Sequence, residues 1–478
     1  MTKHIHKSRP NAIDVLSQGL SHRPAMAAVL AATVKRIDAL PADEQARIAE
    51  QLGRNPELAV ELTFDNLSKP MGQDIVPDDQ LASHVVSTKA TGERKAVALS
   101  TYRLPDASRV DTAEVRYLRE HVDVSEYTHA TPVNARQLAK LIRDHDGPLD
   151  GVYCFLEPVD EQVIDAAAEK GVKWIASSGT GHDNKNKKYA AEKGIQLTNA
   201  PGALMHATSE AAITHTLNIV TNMSQWITET ERGQQVGCSM QKGRHDSLQG
   251  KTVAIVGFGQ VGFEAARRLT QFLPNKEGEG AILYVDPNTV MKDEKEAALN
   301  DSLVAASEAL RIAHPNDEIT PPAPVRGVGL DEALRKADIV ILTPALVKAS
   351  DLTPDAIAAG ATPTEGMIGA SQLAIMKDGA FLVNTARGPI VDEQAVADAL
   401  RAGRIHYGTD VLVNEWERPS HLYAAAREGG ALLYVSEHVA SNDGKTRDVL
   451  MAGRMLANSI ELTEGRAPLN PINNPQKS

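Results

Sequence analysis

Short apolar runs alternate with segments of helical periodicity from about residue 95 onward, and this alternation constrains the fold more than any other feature. The first series of apolar runs comprises KAVALSTY, GVYCFL, VKWIASSG and IQLTNAPG. A long helical pattern, TSEAAITHTLNIVTNMSQWI, separates it from a second series: TVAIVGFG, AILYVD, DIVILTPA, AFLVNTA, HYGTDVL and LLYVSEH. Strands that alternate with helices form parallel sheets joined by crossover helices. The sequence therefore predicts an α/β protein with doubly wound parallel sheets.

Three regions depart from this alternation. Residues 1–94 contain segments of helical periodicity but no chemical motif, and they are predicted to form a helical N-terminal extension. Residues 288–326 and 349–363 are longer than ordinary connections between a strand and a helix. Both are expected to be surface elaborations.

Composition excludes several classes of protein. The chain carries 50 basic and 62 acidic residues and has no basic tract, so nucleic-acid binding is not expected. The longest apolar run near the start, AMAAVLAATV, is too short to span a bilayer, and no membrane association is expected. The two cysteines, Cys154 and Cys238, lack CxxC spacing, which argues against a cysteine-based metal site and suits a reducing compartment. The expected location is cytoplasmic, and no metal site is predicted.

The segment GFGQVG has the GxGxxG spacing of a dinucleotide-binding turn, and it follows an apolar strand and opens a helix. Its residues are Gly257, Phe258, Gly259, Gln260, Val261 and Gly262. The glycines allow a tight turn, a close approach of a pyrophosphate and close packing of helix on strand. Asp286 ends the next strand and is placed to accept hydrogen bonds from an adenosine ribose. A carboxylate there repels a 2′-phosphate, so NAD is favoured over NADP as the cofactor. The alternative is a structural glycine turn beside a solvated aspartate.

Four polar residues follow three strands of the second series. Arg387, Asp410 and His438 each come at the carboxyl end of an apolar run, and Glu415 lies in the loop after Asp410. Ligands of doubly wound sheets bind beyond this edge. Arg387 suits a substrate carboxylate and can polarise a carbonyl, and His438 suits proton transfer to that carbonyl during hydride delivery. Glu415 would favour and orient the charged imidazole. Taken singly, each residue is as easily explained by a structural ion pair or by solvation.

These motifs resemble those of the D-isomer-specific 2-hydroxyacid dehydrogenase family over roughly residues 95–474. The resemblance rests on GFGQVG, LVNTARGPIVDEQAVADAL, GTDVLVNE, SEHVASNDGKTR, SSGTGHDNKN, GIQLTNAPG and EGRAPLNPIN. It implies a substrate lobe at residues 95–205, completed by 445–478, and an NAD-binding lobe at 206–444. It implies catalytic roles for Arg387, Glu415 and His438, and a homodimer built around the NAD lobes.

The resemblance also implies contacts that spacing alone does not. Asp410 would lie near the nicotinamide amide, and backbone around Thr385, Ala386 and Arg387 would contact the cofactor. Ser178, Gly179 and Thr180 would form the turn whose N–H groups meet the substrate carboxylate. The partner molecule would be a small 2-oxo or 2-hydroxy acid. Glu437 stands where the family often has proline.

The motifs leave other functions open. A formate dehydrogenase of the same superfamily is expected to pair its histidine with an amide, where this chain has Glu415. A phosphite-oxidising enzyme keeps a similar trio of Arg, Glu and His. A dinucleotide-sensing scaffold or corepressor is the alternative from another class, and the N-terminal extension is the feature that favours it.

Overall fold

The computed structural model describes most of the chain after residue 77. The described residues are 78, 80–106, 109–128, 133–231, 246–274, 279–286, 292–313, 319, 323–358, 360–415, 418–440 and 446–475. The extension predicted for residues 1–94 therefore lies mostly outside the described residues. Among its described residues, Leu81–His84 forms a 3₁₀ turn and Val85–Thr88 is a strand, while the segments of helical periodicity lie outside the described residues.

The first sheet has six strands. They are β1 (Val85–Thr88), β2 (Ala96–Ser100), β3 (Val122–Tyr127), β4 (Gly151–Cys154), β5 (Trp174–Ser177) and β6 (Gln196–Thr198), in the order β1-β3-β2-β4-β5-β6. Strands β2 to β6 are parallel, and β1 pairs antiparallel with β3 at the edge. Its connecting helices are α1 (Ala113–His121), α2 (Ala135–Asp144), α3 (Glu161–Glu169) and α4 (Lys187–Glu192). Apart from β1, this is the flavodoxin-like order of a doubly wound sheet.

A long helix leads from the first sheet to the second. Helix α5 (Met205–Thr221) buries Ala212, Ile213 and Ile219 and packs against the second sheet. It ends at Asn222, whose left-handed backbone (φ 53°) starts the turn into α6 (Met223–Glu231). The Tyr434 hydroxyl donates to the Asn222 side chain at 2.5 Å.

The second sheet has seven parallel strands. They are β7 (Thr252–Val256), β8 (Ala281–Val285), β9 (Ala323–Gly327), β10 (Ile339–Leu342), β11 (Ala380–Asn384), β12 (Ile405–Thr409) and β13 (Leu433–Val435), in the order β13-β12-β11-β10-β7-β8-β9. The order reverses between β7 and β10, and such a switch point opens a crevice for a ligand at the carboxyl edge. The accompanying helices are α7 (Gln260–Leu269), α8 (Lys292–Ala313), α9 (Leu330–Lys336), α10 (Pro354–Ala358), α11 (Ala370–Ile375), α12 (Glu393–Arg401) and α13 (Ser420–Gly429).

Both faces of the second sheet are covered, as an all-parallel sheet requires. Residues alternate along each strand: Ala254 and Val256 pack in one core and Val253 and Ile255 in the other. The apolar runs of the sequence are therefore continuous rather than alternating. The predicted class, two α/β regions with doubly wound sheets, is confirmed.

The segment 288–326 is part of this sheet rather than the expected surface elaboration. Helix α8 buries Leu299 and Leu303, and β9 extends the sheet beyond β8 with Val325 in the same core. The segment thus completes a β8-α8-β9 crossover. By contrast, α10 in the segment 349–363 has no buried side chain among its described residues, as expected for a surface element.

The chain returns to the first sheet at its end. A π-helical turn at Thr446–Met451 precedes α14 (Ala452–Thr463), whose Met455 and Leu456 are buried with Trp174 of β5. The hydroxyls of Tyr153 and Ser459 lie 2.9 Å apart in this core. The lobe boundaries given above stay predictions. None of the helices in the described part of the chain has the length and apolar character needed to cross a membrane.

Candidate active site

The glycine turn after β7 leaves no room for side chains at two positions. Gly257 has φ +88°, and a Cβ there would lie 2.4 Å from the backbone nitrogen of Pro344. A Cβ on Gly262 would lie 2.1 Å from the Gly257 carbonyl oxygen. The first and third glycines are therefore required by the fold itself, the first by its backbone angle and both by close packing.

Gly259 differs, because no heavy atom lies within 4 Å of the position its Cβ would take. It caps the N-terminus of α7, where unpaired N–H groups and the helix dipole favour an anion. The Phe258 N–H donates to the Asp286 carboxylate at 2.8 Å, which fixes that acid beside the turn at the end of β8. The open space at Gly259, the helix terminus and Asp286 together fit a dinucleotide.

Phe258 faces away from this open space. Its ring is buried and stacks on Tyr284, with ring centroids 4.3 Å apart. Lys295 of α8 donates to the Phe258 carbonyl at 3.0 Å. Phe258 can therefore serve a cofactor through its backbone only, and α8 braces the turn from behind.

A cavity of about 340 Å³ opens beside the turn. Its walls come from both sheets: Thr180–Asp183, Asn199, Gly202, Leu204, Met205, Thr208, Gln260, Val261, Thr343–Leu346 and Thr385–Arg387. Among the residues that the structure describes, the buried Thr385 hydroxyl is one of few side-chain groups without a hydrogen-bond partner. Leaving a buried hydroxyl unpaired costs free energy. The cofactor contact predicted for this segment is through its backbone and stays a prediction.

Arg387 projects into this cavity from the loop after β11. The buried Asn384 side chain fixes that loop by accepting from the Ala386 N–H at 3.1 Å and donating to the Arg387 carbonyl at 3.0 Å. The guanidinium lies 3.2 Å from the Asp183 carboxylate, measured from Nε, and its Nη1 donates to the Ala386 carbonyl at 2.8 Å. Arg387 therefore forms an ion pair with Asp183 within the protein. This partner was not predicted from the sequence.

Asp410 organises the loop that carries His438. The Asp410 carboxylate is buried and accepts from the Ser436 hydroxyl (2.5 Å) and from the N–H groups of Val439 (3.0 Å) and Ala440 (3.2 Å). The His438 N–H donates to the Asp410 carbonyl at 2.7 Å. Four hydrogen bonds therefore tie the end of β12 to the loop after β13.

His438 and Glu415 form a pair. The imidazole Nδ1 lies 2.9 Å from one Glu415 oxygen and 3.0 Å from the other, and both side chains are part exposed. An ionised carboxylate can only accept, so Nδ1 carries the proton and Nε2 faces elsewhere. His438 also has a left-handed backbone (φ 52°), which is uncommon for a residue other than glycine and concentrates at functional sites.

His215 is a further residue of the site that was not predicted from the sequence. This residue of α5 places its Nε2 2.9 Å from the Ser436 hydroxyl, which in turn donates to Asp410. Burial lowers the pKa of His215, while the Asp410 charge opposes that shift. The neutral imidazole braces the His438 loop from the long helix. No motif signalled this contact, because His215 and Ser436 lie 221 positions apart.

Arg387 and Asp410 lie on the same edge of the second sheet but line different cavities. Strands β11, β12 and β13 are neighbours, so Arg387, Asp410 and His438 follow the same carboxyl edge. Asp410, however, lines a second cavity, along α5, rather than the one beside Arg387.

The predicted substrate turn is only partly at the cavity. Ser178 is fully buried, and its N–H donates to the Cys154 carbonyl at 3.0 Å. The Gly179 N–H donates to the Ser177 hydroxyl at 3.3 Å. The cavity wall begins at Thr180, whose hydroxyl donates to the Ala200 carbonyl at 2.9 Å. The turn therefore presents Thr180 and the residues after it, rather than Ser178, to a ligand.

Known proteins resemble this chain in both sequence and fold. A family model described as "D-isomer specific 2-hydroxyacid dehydrogenase, NAD binding domain" matches residues 213–320 and 309–438. A protein of Staphylococcus aureus MRSA252, provisionally named a 2-hydroxyacid dehydrogenase, is 27% identical over 372 residues, covering 77% of this chain and 98% of that protein.

Solved structures have a fold similar to that of this chain. A protein from Thermus thermophilus is 26% identical, with a TM-score of 0.58, and the match covers 79% of this chain and 99% of the other. A glyoxylate reductase from Paecilomyes thermophila is 24% identical with a TM-score of 0.60, covering 81% and 100%, and shows the fold.

The doubly wound sheet, the glycine turn and the matched domain define an NAD-binding α/β protein, and NAD is its cofactor. Residues 213–438 match the NAD-binding domain of the D-isomer-specific 2-hydroxyacid dehydrogenases, and the chain is similar to a protein named for that activity over most of its length.

Two glycine substitutions separate folding from cofactor binding. Gly257→Ala is expected to lower the free energy of unfolding by about 2 kcal/mol or more, since it adds backbone strain and a clash with Pro344. Gly259→Ala is expected to lower the free energy of unfolding by only about 1 kcal/mol or less, because its methyl group meets open space and alanine is merely the weaker N-cap residue. That methyl group would occupy the approach of the pyrophosphate, so NADH should bind roughly tenfold or more weakly.

Thermal unfolding and NADH titration of both variants check this pair. Equal losses of stability in the two variants, or unchanged NADH affinity in Gly259→Ala, would contradict the assignment of the turn.

Proposed function

We propose that this protein is an NAD-dependent dehydrogenase that interconverts a 2-oxo acid and the corresponding D-2-hydroxy acid. The observation that carries the proposal is the His438–Glu415 pair, at 2.9 Å, on the carboxyl edge of a sheet whose first strand ends in the dinucleotide turn. A module that only bound NAD would not need an imidazole held by a carboxylate in one tautomer. The D configuration follows the family.

His438 would serve as the acid and base of the reaction. Because Glu415 accepts the Nδ1 proton, Nε2 remains to donate a proton to the substrate oxygen during reduction or to accept one during oxidation. The Glu415 carboxylate stabilises the positive imidazolium that is present before reduction and after oxidation. Asp410 would act by holding the His438 loop, as its hydrogen bonds indicate.

Arg387 would bind the substrate carboxylate and polarise the reacting carbonyl. Its planar guanidinium matches the paired oxygens of a carboxylate, and its place in the cavity wall beside Gln260 and Val261 puts it next to the cofactor turn. The turn at Gly257–Gly262 would hold the cofactor, which would supply the hydride acceptor or donor for the C2 carbon of the substrate. Thr180 and the backbone after it would contact the substrate, and Thr385 and Ala386 the cofactor.

The functional protein would be a cytoplasmic homodimer. Two-fold assemblies are the commonest oligomers of soluble proteins, and α6 exposes the apolar side chains Met223 and Ile227. Analytical ultracentrifugation of the full chain checks the dimer, and a concentration-independent monomer would contradict it.

Reduced-nicotinamide absorbance tests the activity. The panel comprises glyoxylate, pyruvate, hydroxypyruvate and bulkier 2-oxo acids with NADH and NADPH, plus formate and phosphite in the oxidising direction. We expect turnover of a 2-oxo acid, with NADH preferred because the Asp286 carboxylate, held beside the glycine turn, would repel a 2′-phosphate. If no substrate in the panel is turned over but NADH binds tightly, the result would favour the sensing scaffold. Turnover of formate or phosphite alone would reassign the enzyme to those relatives.

A further inference from the structure

One edge of the Arg387 guanidinium is in contact with the protein itself. Nε faces the Asp183 carboxylate at 3.2 Å, and Nη1 donates to the Ala386 carbonyl at 2.8 Å. Nη2 lies against Gly181, so closely that a Cβ on that glycine would be 1.6 Å away. Carboxylates bind a guanidinium through two parallel N–H groups along one edge. The edge formed by Nε and Nη2 is thus already covered by Gly181 and Asp183.

The segment that covers this edge, residues 181–183, is held in place by hydrogen bonds before and after it. Before it, the Gly179 carbonyl accepts from the Ala200 N–H at 3.0 Å. After it, the Asn184 side chain donates to the Leu156 carbonyl at 2.8 Å, and the Asn184 backbone carbonyl accepts from the Val159 N–H at 3.0 Å. Asp183 therefore meets Arg387 from a fixed turn, and the contact is a built feature of the fold.

We propose that Asp183 is an internal competitor for the carboxylate of the substrate. This inference rests on the proposed function, in which Arg387 binds that carboxylate. The carboxylate of Asp183 and that of a 2-oxo acid have the same charge and geometry, so they cannot hold the same guanidinium edge together. Substrate binding must open the Arg387–Asp183 ion pair, which joins the first sheet to the second across the cavity. Asp183 is thus a positioning residue that sets the affinity for substrate and keeps Arg387 paired when the site is empty.

The exposure of the pair suits this exchange. The side chains of Arg387 and Asp183 are 30% and 24% exposed, so the pair is partly screened by water and can be replaced by a ligand. A fully buried pair would instead leave an uncompensated charge when broken. The incoming carboxylate restores the charge balance at Arg387, while Asp183 becomes free to turn toward solvent.

Asp183→Asn tests the proposal, since it removes the charge and keeps the size of the side chain. We expect KM for a 2-oxo acid, and the Kd of the unreactive analogue oxamate in the presence of NADH, to fall by about three- to tenfold. The change in kcat should stay within about twofold, because Asp183 does not touch the reacting atoms. Asp111→Asn is the matched control: it removes the same charge from an exposed ion pair with Arg116, in the loop before α1 and outside the residues that line the cavity.

An unchanged or higher KM in Asp183→Asn, with normal kcat and NADH affinity, would overturn the proposal, since Asp183 would then merely orient Arg387. Asp183→Ser gives the same readout if the Asn variant does not fold. In an Arg387→Ala background, the Asp183 substitution should no longer alter oxamate binding. Failure of the proposed function is distinguishable, because the unmodified protein would then turn over no 2-oxo acid at all.

Discussion

His438→Asn is expected to lower kcat/KM for a 2-oxo acid by about 10²- to 10⁴-fold, the usual contribution of a positioned acid–base group. Asn is the informative replacement for two reasons. It tolerates the left-handed backbone found at His438, and its amide NH₂ can still donate to Glu415 in place of Nδ1. Only the proton-transferring Nε2 is lost.

Three measurements accompany this variant. The unfolding temperature and the Kd for NADH should match those of the unmodified protein, because neither the loop nor the glycine turn is altered. His421→Asn, at an exposed histidine paired with Glu393, controls for the change of residue type. Turnover within tenfold of normal in His438→Asn would exclude His438 as the acid and base.

Arg387→Lys is expected to lower kcat/KM by about 10²- to 10³-fold, the cost of removing one preorganised donor from a developing charge. A lysine keeps the positive charge but presents a single ammonium where the substrate needs two parallel N–H groups. We expect KM to rise as well as kcat to fall, since Arg387 is assigned to both the bound carboxylate and the reacting carbonyl.

Arg401→Lys controls for this change, because Arg401 is a surface residue whose ion pairs with Asp398 and Glu428 lie outside the cavity. NADH affinity of Arg387→Lys should be retained. A loss of NADH affinity as large as the loss of activity would show that Arg387 serves the cofactor instead of the substrate.

The predictions from sequence succeeded where the signal was local. The glycine turn follows its strand and opens its helix within one short segment, so Gly257, Gly259 and Gly262 are identified by spacing alone. The class of fold followed from the alternation of apolar runs and helical patterns. The segment 288–326 was misjudged because β9 (Ala323–Gly327) includes a proline, an arginine and a glycine and lacks a continuous apolar run.

Contacts that join distant parts of the chain were not predicted from the sequence. Asp183 meets Arg387 across 204 positions, and His215 meets Ser436 across 221. One sequence carries no periodicity or spacing that could indicate such pairs. Ser178 was assigned to the substrate turn by resemblance. It is fully buried, because it directly follows Ser177, the last residue of the buried strand β5.

The sequence by itself determined the class of fold, the dinucleotide turn and the set of Arg, Glu and His residues at strand ends, since each depends on residues that are near one another in the chain. Only the tertiary structure decided which charges meet. It paired His438 with Glu415, enclosed the Asp410 carboxylate in the His438 loop, and set Asp183 on the guanidinium of Arg387. The physical reason is that charge–charge and hydrogen-bond energies depend on distances of a few ångströms, and folding two sheets fixes those distances.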